Sequence, residues 1–149
     1  MLIALTREPS PDMGRCELTC LPRVAIDPDL TRTQHRQYCK ALMDLGCGVV
    51  ALPAADGLPD AVFVEDTAIV LDQVAIITRP GAASRRPETA SVAERLREHR
   101  PLLFIEPPGT LEGGDVLRVG KTLDVGLSRR TNEFGIANCA RCLRPTAIR

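Results

Sequence analysis

Tryptophan is absent from this chain and only 3% of its residues are aromatic, which leaves few rings on which single-stranded nucleic acid can stack. An excess of charge is absent too. Lysine plus arginine and aspartate plus glutamate stand at 19 each, so no global field draws the protein to nucleic acid or to an anionic membrane. No uninterrupted apolar run approaches membrane-spanning length, and the apolar start Met1 to Leu5 meets Arg7 and Glu8 too soon for a signal peptide. The expectation is therefore a cytoplasmic protein with no nucleic-acid and no membrane partner. Its six cysteines are expected to be free thiols rather than a disulfide framework. No metal site and no cofactor is expected: Cys139 and Cys142 form a C-x-x-C, but no second ligand pair accompanies them. What is present is 149 residues, enough for one ordinary domain with a core or for one incomplete domain.

Short strands and two helices can be read from the periodicity. The spacing of Tyr38, Leu42 and Leu45 predicts a helix over Thr31 to Leu45, with Thr31 as N-cap and Gly46 as stop. A second helix is predicted over Pro87 to His99, with Pro87 in its first turn and Val92 and Leu96 on a narrow apolar face. Strands are predicted from Ile3, and over Val49 to Leu52, Ala61 to Val64, Ala68 to Leu71, Val74 to Thr78, Leu102 to Ile105, Val116 to Val119 and Leu123 to Leu127. Each helix is thus followed by a strand and then a hairpin. A doubly wound sheet would need a helix between most neighbouring strands, so a ring of repeated strand and helix modules fits better.

The repeat is visible in the residues themselves. Phe63, Val64, Glu65, Asp66 corresponds to Leu111, Glu112, Gly113, Gly114, Asp115, and aligning Asp66 with Asp115 gives a period of about 49 residues, in the range of propeller-like architectures. Glu65, Asp66, Glu112 and Asp115 lie at corresponding turns, where paired carboxylates suit the fork of N–H donors of a guanidinium. Arg79, Arg85, Arg86, Arg129 and Arg130 follow the repeated strands, and arginines in such loops suit a carboxylate or phosphate. Each such residue can equally cap a turn or sit in a solvated loop. Both signs of charge converging from equivalent loops point to a small ligand that also carries both, such as an amino acid with a cationic side chain.

Several segments together resemble the dimethylarginine dimethylaminohydrolase family of the guanidine-modifying, or amidinotransferase, superfamily. They are Phe63, Val64, Glu65, Asp66; Ile77 to Ala82 with Ser84, Arg85, Arg86 and Glu88; Pro108 to Asp115; Ser128, Arg129, Arg130, Thr131, Asn132; and the early Cys16, Glu17, Leu18, Thr19. The resemblance implies a pentein-type α/β propeller, five modules about a pseudo-fivefold axis, of which about half is present over residues 1–136. It implies hydrolysis of N-methylated arginine to citrulline and a methylamine, by a cysteine thiolate that attacks the guanidinium carbon and a histidine that moves protons. By position, it implies Glu112 as the acidic partner of guanidinium and histidine, Asp66 as a second guanidinium contact, and Arg85 and Arg130 as holders of the substrate carboxylate. Leu18, Asp60, Phe63 and Glu65 would line or support the pocket, with Leu18 in a mobile lid beside Gly14.

The family's histidine and nucleophilic cysteine fall beyond the last residue of this sequence. His35 and His99 lie on the predicted helices, Cys39 and Cys47 are expected to be packing positions, and Cys16 and Cys20 fall in the expected lid, where Cys20 has no obvious base. A third helix is expected to begin after Asn132 and to be lost, leaving 137–149 as an unpatterned tail of the kind a frameshift or truncation produces. The expectation is then an inactive N-terminal part of such an enzyme. Two alternatives are a non-catalytic module that binds arginine-like ligands and a relative of the arginine deiminase type. An opened ring exposes module faces and sheet edges, so self-association of the chain is expected as well.

Overall fold

The computed structural model describes residues 1–144, which form two compact units, Met1–Val64 and a second from Glu65 onward. The first unit is a parallel strand pair with a helical crossover. Strand β1 (Ile3–Arg7) pairs with β2 (Gly48–Leu52), Ile3 opposite Gly48 and Arg7 opposite Leu52, and α1 (Pro28–Asp44) connects them. The helix begins earlier than its apolar spacing predicts. Asp27, not Thr31, is the N-cap, its carboxylate accepting from the amides of Asp29 and Leu30, and Pro28 pre-sets the first turn. Thr31 lies inside the helix and donates its hydroxyl to the Asp27 carbonyl at 2.8 Å. The predicted stop holds: Gly46 adopts φ 87°, a left-handed conformation that favours glycine after the last turn.

The second unit carries two successive hairpin and helix modules. Strands β3 (Ala68–Val70) and β4 (Ala75–Ile77) form an antiparallel hairpin, and β4 also pairs in parallel with β5 (Leu102–Phe104). The helix α2 (Thr89–Arg97) makes the crossover between β4 and β5, burying Val92, Ala93 and Leu96. A second hairpin, β6 (Val116–Val119) with β7 (Thr122–Val125), leads to α3 (Glu133–Cys142). Ile69, Ile76, Ile105, Leu111, Cys139 and Cys142 form the buried core, flanked by Leu71, Leu103, Val116, Leu123, Val125 and Leu143.

Three expectations are corrected here. Residues 61 to 64 are not a strand: successive tight turns (the Ala61 amide on the Leu58 carbonyl, Phe63 on Asp60, Val64 on Val62) coil the segment into a 3-10 turn over Val64–Thr67. The second helix starts as a 3-10 turn, Ala83–Glu88, with Pro87 inside it, before α2 proper. The third helix does not stop near 136. It continues to Cys142, and its buried residues Gly135, Cys139 and Cys142 keep helical spacing with small side chains, which is why no apolar period is visible in the sequence. Residues 145 to 149 of the expected tail lie outside the described residues. No helix among the described residues is long and apolar enough to cross a membrane.

The repeat also shifts by one. Ala68 pairs with Ile77 and Val116 with Val125, so the hairpins correspond at 48 positions rather than about 49. The flanking bonds agree: the Thr78 amide donates to Thr67 at 3.0 Å, and the Gly126 amide to Asp115 at 2.8 Å. Thr67 is thus the counterpart of Asp115, and Glu65 and Asp66 are the counterparts of Gly113 and Gly114.

All six cysteines are free. Burial, with Cys142 nearby, pushes the Cys139 thiol up to about 11, and burial pushes Cys142 up as well. The C-x-x-C is therefore a pair of core side chains, held as neutral thiols. A raised folded-state value means that Cys139 favours the fold fully below the ordinary thiol value of 9.0 and that this contribution is lost as pH rises towards about 11. Urea unfolding is expected to show stability falling between those two values and less so in Cys139→Ala. In native protein a thiol reagent is expected to modify exposed Cys20 first and Cys139 and Cys142 only on unfolding.

Candidate functional site

Four of the expected residues converge in the second unit: Asp66, Arg85, Glu112 and Arg130. At the centre is Arg85, whose side chain is 1% exposed. Its Nη1 donates to Asp66 Oδ2 at 2.9 Å and to Glu112 Oε2 at 3.5 Å, while Nη2 reaches Glu88 Oε2 at 3.0 Å and Nε lies 3.2 Å from the same oxygen. Arg130 Nη1 donates to Glu112 Oε2 at 3.0 Å. Local structure explains the placement. Positions three apart on a 3-10 turn are eclipsed, so Glu88 stacks on Arg85 within Ala83–Glu88. Asp66 comes from the turn Val64–Thr67, and Glu112 directly precedes the 3-10 turn Gly113–Asp115.

The two acidic turns touch each other at counterpart positions. A Cβ on Gly113 would fall 1.9 Å from the Glu65 carbonyl oxygen, so only glycine permits this approach. The Gly114 amide donates to Asp66 Oδ1 at 3.0 Å. Asp66 is thereby held by one oxygen on the neighbouring turn and offers the other to Arg85. Leu111 is fixed from the other side, its amide on the Arg79 carbonyl at 2.9 Å. Glu65 itself is exposed.

Of the five arginines read as a cationic set, Arg85 and Arg130 bond to carboxylates. Arg79 donates to the Gly109 carbonyl and Arg86 to that of Pro80, each at 3.1 Å. Arg85, implied as a holder of substrate carboxylate, faces carboxylates of the protein itself. Burial alone would lower its affinity for the proton, but hydrogen bonds and charge from Glu88 and Asp66 outweigh this and keep the guanidinium charged at any accessible pH. Arg130 is the more open of the two, with 32% of its side chain exposed.

Asp115 turns away from the cluster. Its Oδ2 accepts from the hydroxyls of Ser128, at 2.7 Å, and Thr131, at 2.6 Å. It was expected beside Glu112 as a guanidinium acceptor, and the one-residue shift of the repeat puts it on the hairpin instead. Glu88, Ser128 and Thr131 are the residues that sequence reasoning passed over as site members. The i,i+3 spacing of Arg85 and Glu88 was the available signal for the first. Nothing in one sequence marks the other two.

Among the described residues two guanidiniums meet three carboxylates here, Asp66, Glu88 and Glu112, and these five side chains carry one net negative charge. Glu112 is 2% exposed, and its Oε1 is buried without a hydrogen-bond partner among the described residues. A buried carboxylate oxygen left unpaired costs about 1–3 kcal/mol or more. The arrangement can therefore take one further cationic donor on Glu112. No group of three or more metal-ligating side chains occurs among the described residues.

Leu18, Asp60 and Phe63 belong to the first unit. Asp60 is buried and its Oδ2 accepts from the Glu17 amide at 2.9 Å, which anchors the segment carrying Leu18. Arg23 ties the same segment, donating to the Cys16 carbonyl at 2.7 Å. Leu18 and Phe63 are exposed, at 41% and 38%.

No protein-family model matches the chain. It is 42% identical, over 98% of its own length and 57% of the relative's, to an N(G),N(G)-dimethylarginine dimethylaminohydrolase of Streptomyces coelicolor. Among solved structures it matches the dimethylarginine dimethylaminohydrolase of Pseudomonas aeruginosa, a cysteine-to-serine mutant complexed with citrulline, with a TM-score of 0.86 and 35% identity over 95% of this chain and 58% of that one. It also matches a histidine-to-glycine mutant of a dimethylarginine dimethylaminohydrolase carrying an S-methyl-L-thiocitrulline adduct, with a TM-score of 0.87 and 36% identity over 91% of this chain and 54% of that one. The chain spans a little over half the length of these relatives. The expected architecture, part of a pentein-type α/β propeller, is thereby shown.

Arg85 is the counter-charge to two fully buried carboxylates. Arg85→Met is expected to destabilise the chain by about 3–5 kcal/mol, because buried Glu88 and Asp66 would lose their ion pairs with Arg85 and Glu112 would lose one of its two. Urea denaturation followed by circular dichroism measures this, and a loss below about 1 kcal/mol would refute the central role of Arg85.

Proposed function

Since the chain belongs to the dimethylarginine dimethylaminohydrolase family, we propose that its second unit is the recognition side of a site for N-methylated arginine. The observation that carries the reading is Glu112 Oε1, buried and without a hydrogen-bond partner among the described residues, beside three carboxylates and two guanidiniums. The substrate guanidinium donates to Glu112 and approaches Asp66, and its planar fork suits carboxylates. Arg130 takes the substrate carboxylate. Arg85 has a positioning role in this proposal: it spans Asp66, Glu88 and Glu112 and fixes the acceptors in place. Leu18, Asp60 and Phe63 lie in the other unit, and the proposal does not rest on them.

In the complete reaction a thiolate adds to the guanidinium carbon, the methylamine leaves with a proton, and water then displaces the sulfur to give citrulline. A carboxylate against the guanidinium keeps that carbon electron-poor and correctly presented. The described residues supply recognition, and the hydrolysis also needs the thiolate and the histidine that the family resemblance implies. The structures with citrulline and with an S-methyl-L-thiocitrulline adduct support a ligand of this class. Six free thiols suit a reducing, cytoplasmic setting.

Titration calorimetry of the chain is expected to detect L-arginine and dimethylarginine at about millimolar affinity, with Glu112→Gln weakening both by about tenfold or more. No heat of binding at millimolar ligand would overturn the reading. Purified chain is expected to release no citrulline from dimethylarginine, and release would show that the nucleophile lies within it.

The proposal also includes self-association through open strand faces, since Leu117 and Val119, alternate residues of β6, are 62% and 59% exposed. Sedimentation velocity is expected to show a weight-average mass rising with concentration, and a monomer at all concentrations would exclude it.

A further inference from the structure

Asp115, Ser128 and Thr131 hydrogen-bond to one another and to backbone amides, and both ligand-facing groups of the cluster hang from them. Thr131 is completely buried, and its hydroxyl donates to Asp115 while accepting the Glu112 amide at 3.1 Å. The Ser128 hydroxyl donates to the same Asp115 oxygen and accepts the amides of Arg130, at 3.0 Å, and Thr131, at 3.1 Å. The loop is closed further by the Ser128 amide on the Thr131 carbonyl at 3.0 Å. A Cβ on Gly81 would fall 2.6 Å from the Arg130 Cα, so the loop is also pressed against backbone from outside.

We propose that Asp115 is a positioning residue that sets two separate parts of ligand recognition through two hydroxyls: through Ser128 the loop that aims Arg130, and through Thr131 the backbone of Glu112. The inference rests on the reading that Arg130 takes the ligand's carboxylate and Glu112 its guanidinium. A carboxylate accepting two hydroxyl protons on one oxygen is a strong, directional anchor, and it commits each hydroxyl's lone pairs to the amides behind it. The division predicts distinct signatures for the two arms. Loss of the serine arm misplaces Arg130, and loss of the threonine arm misplaces Glu112.

The ligands that separate the arms are L-arginine and agmatine, which is arginine without its carboxylate. In calorimetry on the 149-residue chain, Ser128→Ala is expected to weaken L-arginine about tenfold more than agmatine. Thr131→Val is expected to weaken both alike, Thr131→Ser to restore them, and Asp115→Ala to combine the two patterns. Equal losses for both ligands in Ser128→Ala, or failure of Thr131→Ser to restore binding, would overturn the proposal, because general loosening of the fold does not discriminate ligands. Amide hydrogen exchange supplies a reading without ligand. Thr131→Val is expected to speed exchange at Glu112, and Ser128→Ala at Arg130 and Thr131. Should the unsubstituted chain bind neither ligand, the functional reading fails and exchange alone decides this one: unchanged rates at those amides overturn it.

Discussion

A guanidinium shut away from water must be surrounded by acceptors, and the second unit is organised around that demand. Arg85 draws Asp66 from the turn before one hairpin, Glu88 from its own 3-10 turn and Glu112 from the turn before the next hairpin. Each partner is also placed by its own local structure. Asp66 sits on the Gly114 amide, Glu88 is eclipsed with Arg85, and Glu112 is held by Thr131 through its backbone. Removing a charge from such a set costs far more than the set contributes relative to an apolar core, because what remains is buried and unpaired. The ion cluster is thus better explained as a means of specifying geometry than as a source of stability.

Much of this was legible in the residues, and the illegible part has a physical reason. The hairpins, the second helix and its face of Val92 and Leu96 follow from apolar spacing that tertiary structure did not override. Asp66, Arg85, Glu112 and Arg130 were singled out, and the fold brings them together. The register of the repeat was misread because two acidic motifs were aligned by chemistry, whereas the hairpins are aligned by backbone pairing. Asp66 and Asp115 look equivalent in sequence, but Thr67 is the backbone counterpart of Asp115 and Gly114 that of Asp66. The third helix was missed past 136 for a different reason. Its buried positions are Gly135, Cys139 and Cys142, and Gly135 is pressed onto Thr110, where a Cβ would fall 1.9 Å from the carbonyl oxygen. Close packing of small residues leaves no hydrophobic stripe to read.

The one-residue shift has a functional reading as well. If the motifs were true counterparts, symmetry would present like carboxylates side by side, and their repulsion would have to be relieved by a shared proton or a bound cation. The structure avoids this by meeting each acidic position of one turn with a glycine of the other. Gly113 accommodates the Glu65 carbonyl, and Gly114 offers an amide to Asp66. The remaining carboxylates divide their tasks. Asp66 and Glu88 are used within the protein, Asp115 holds hydroxyls, and Glu112 alone keeps a buried oxygen without a partner among the described residues.

That oxygen is what favours reading the cluster as a recognition site rather than as a structural ion network. A network selected for stability would satisfy every buried acceptor, since one unmet carboxylate oxygen forfeits about as much as a good hydrogen bond supplies. Here two arginines already lie on Glu112 Oε2, at 3.5 and 3.0 Å, while Oε1 has none. Rearranging one guanidinium would satisfy both oxygens, but Arg85 is held by Glu88 and Arg130 hangs from a loop tied down at Ser128. The rigidity that prevents this relaxation also keeps the unmet oxygen aligned for a donor from outside. On the proposed reading an arginine-like ligand would supply that donor together with a positive charge, and recognition would be the completion of an interaction the fold holds open.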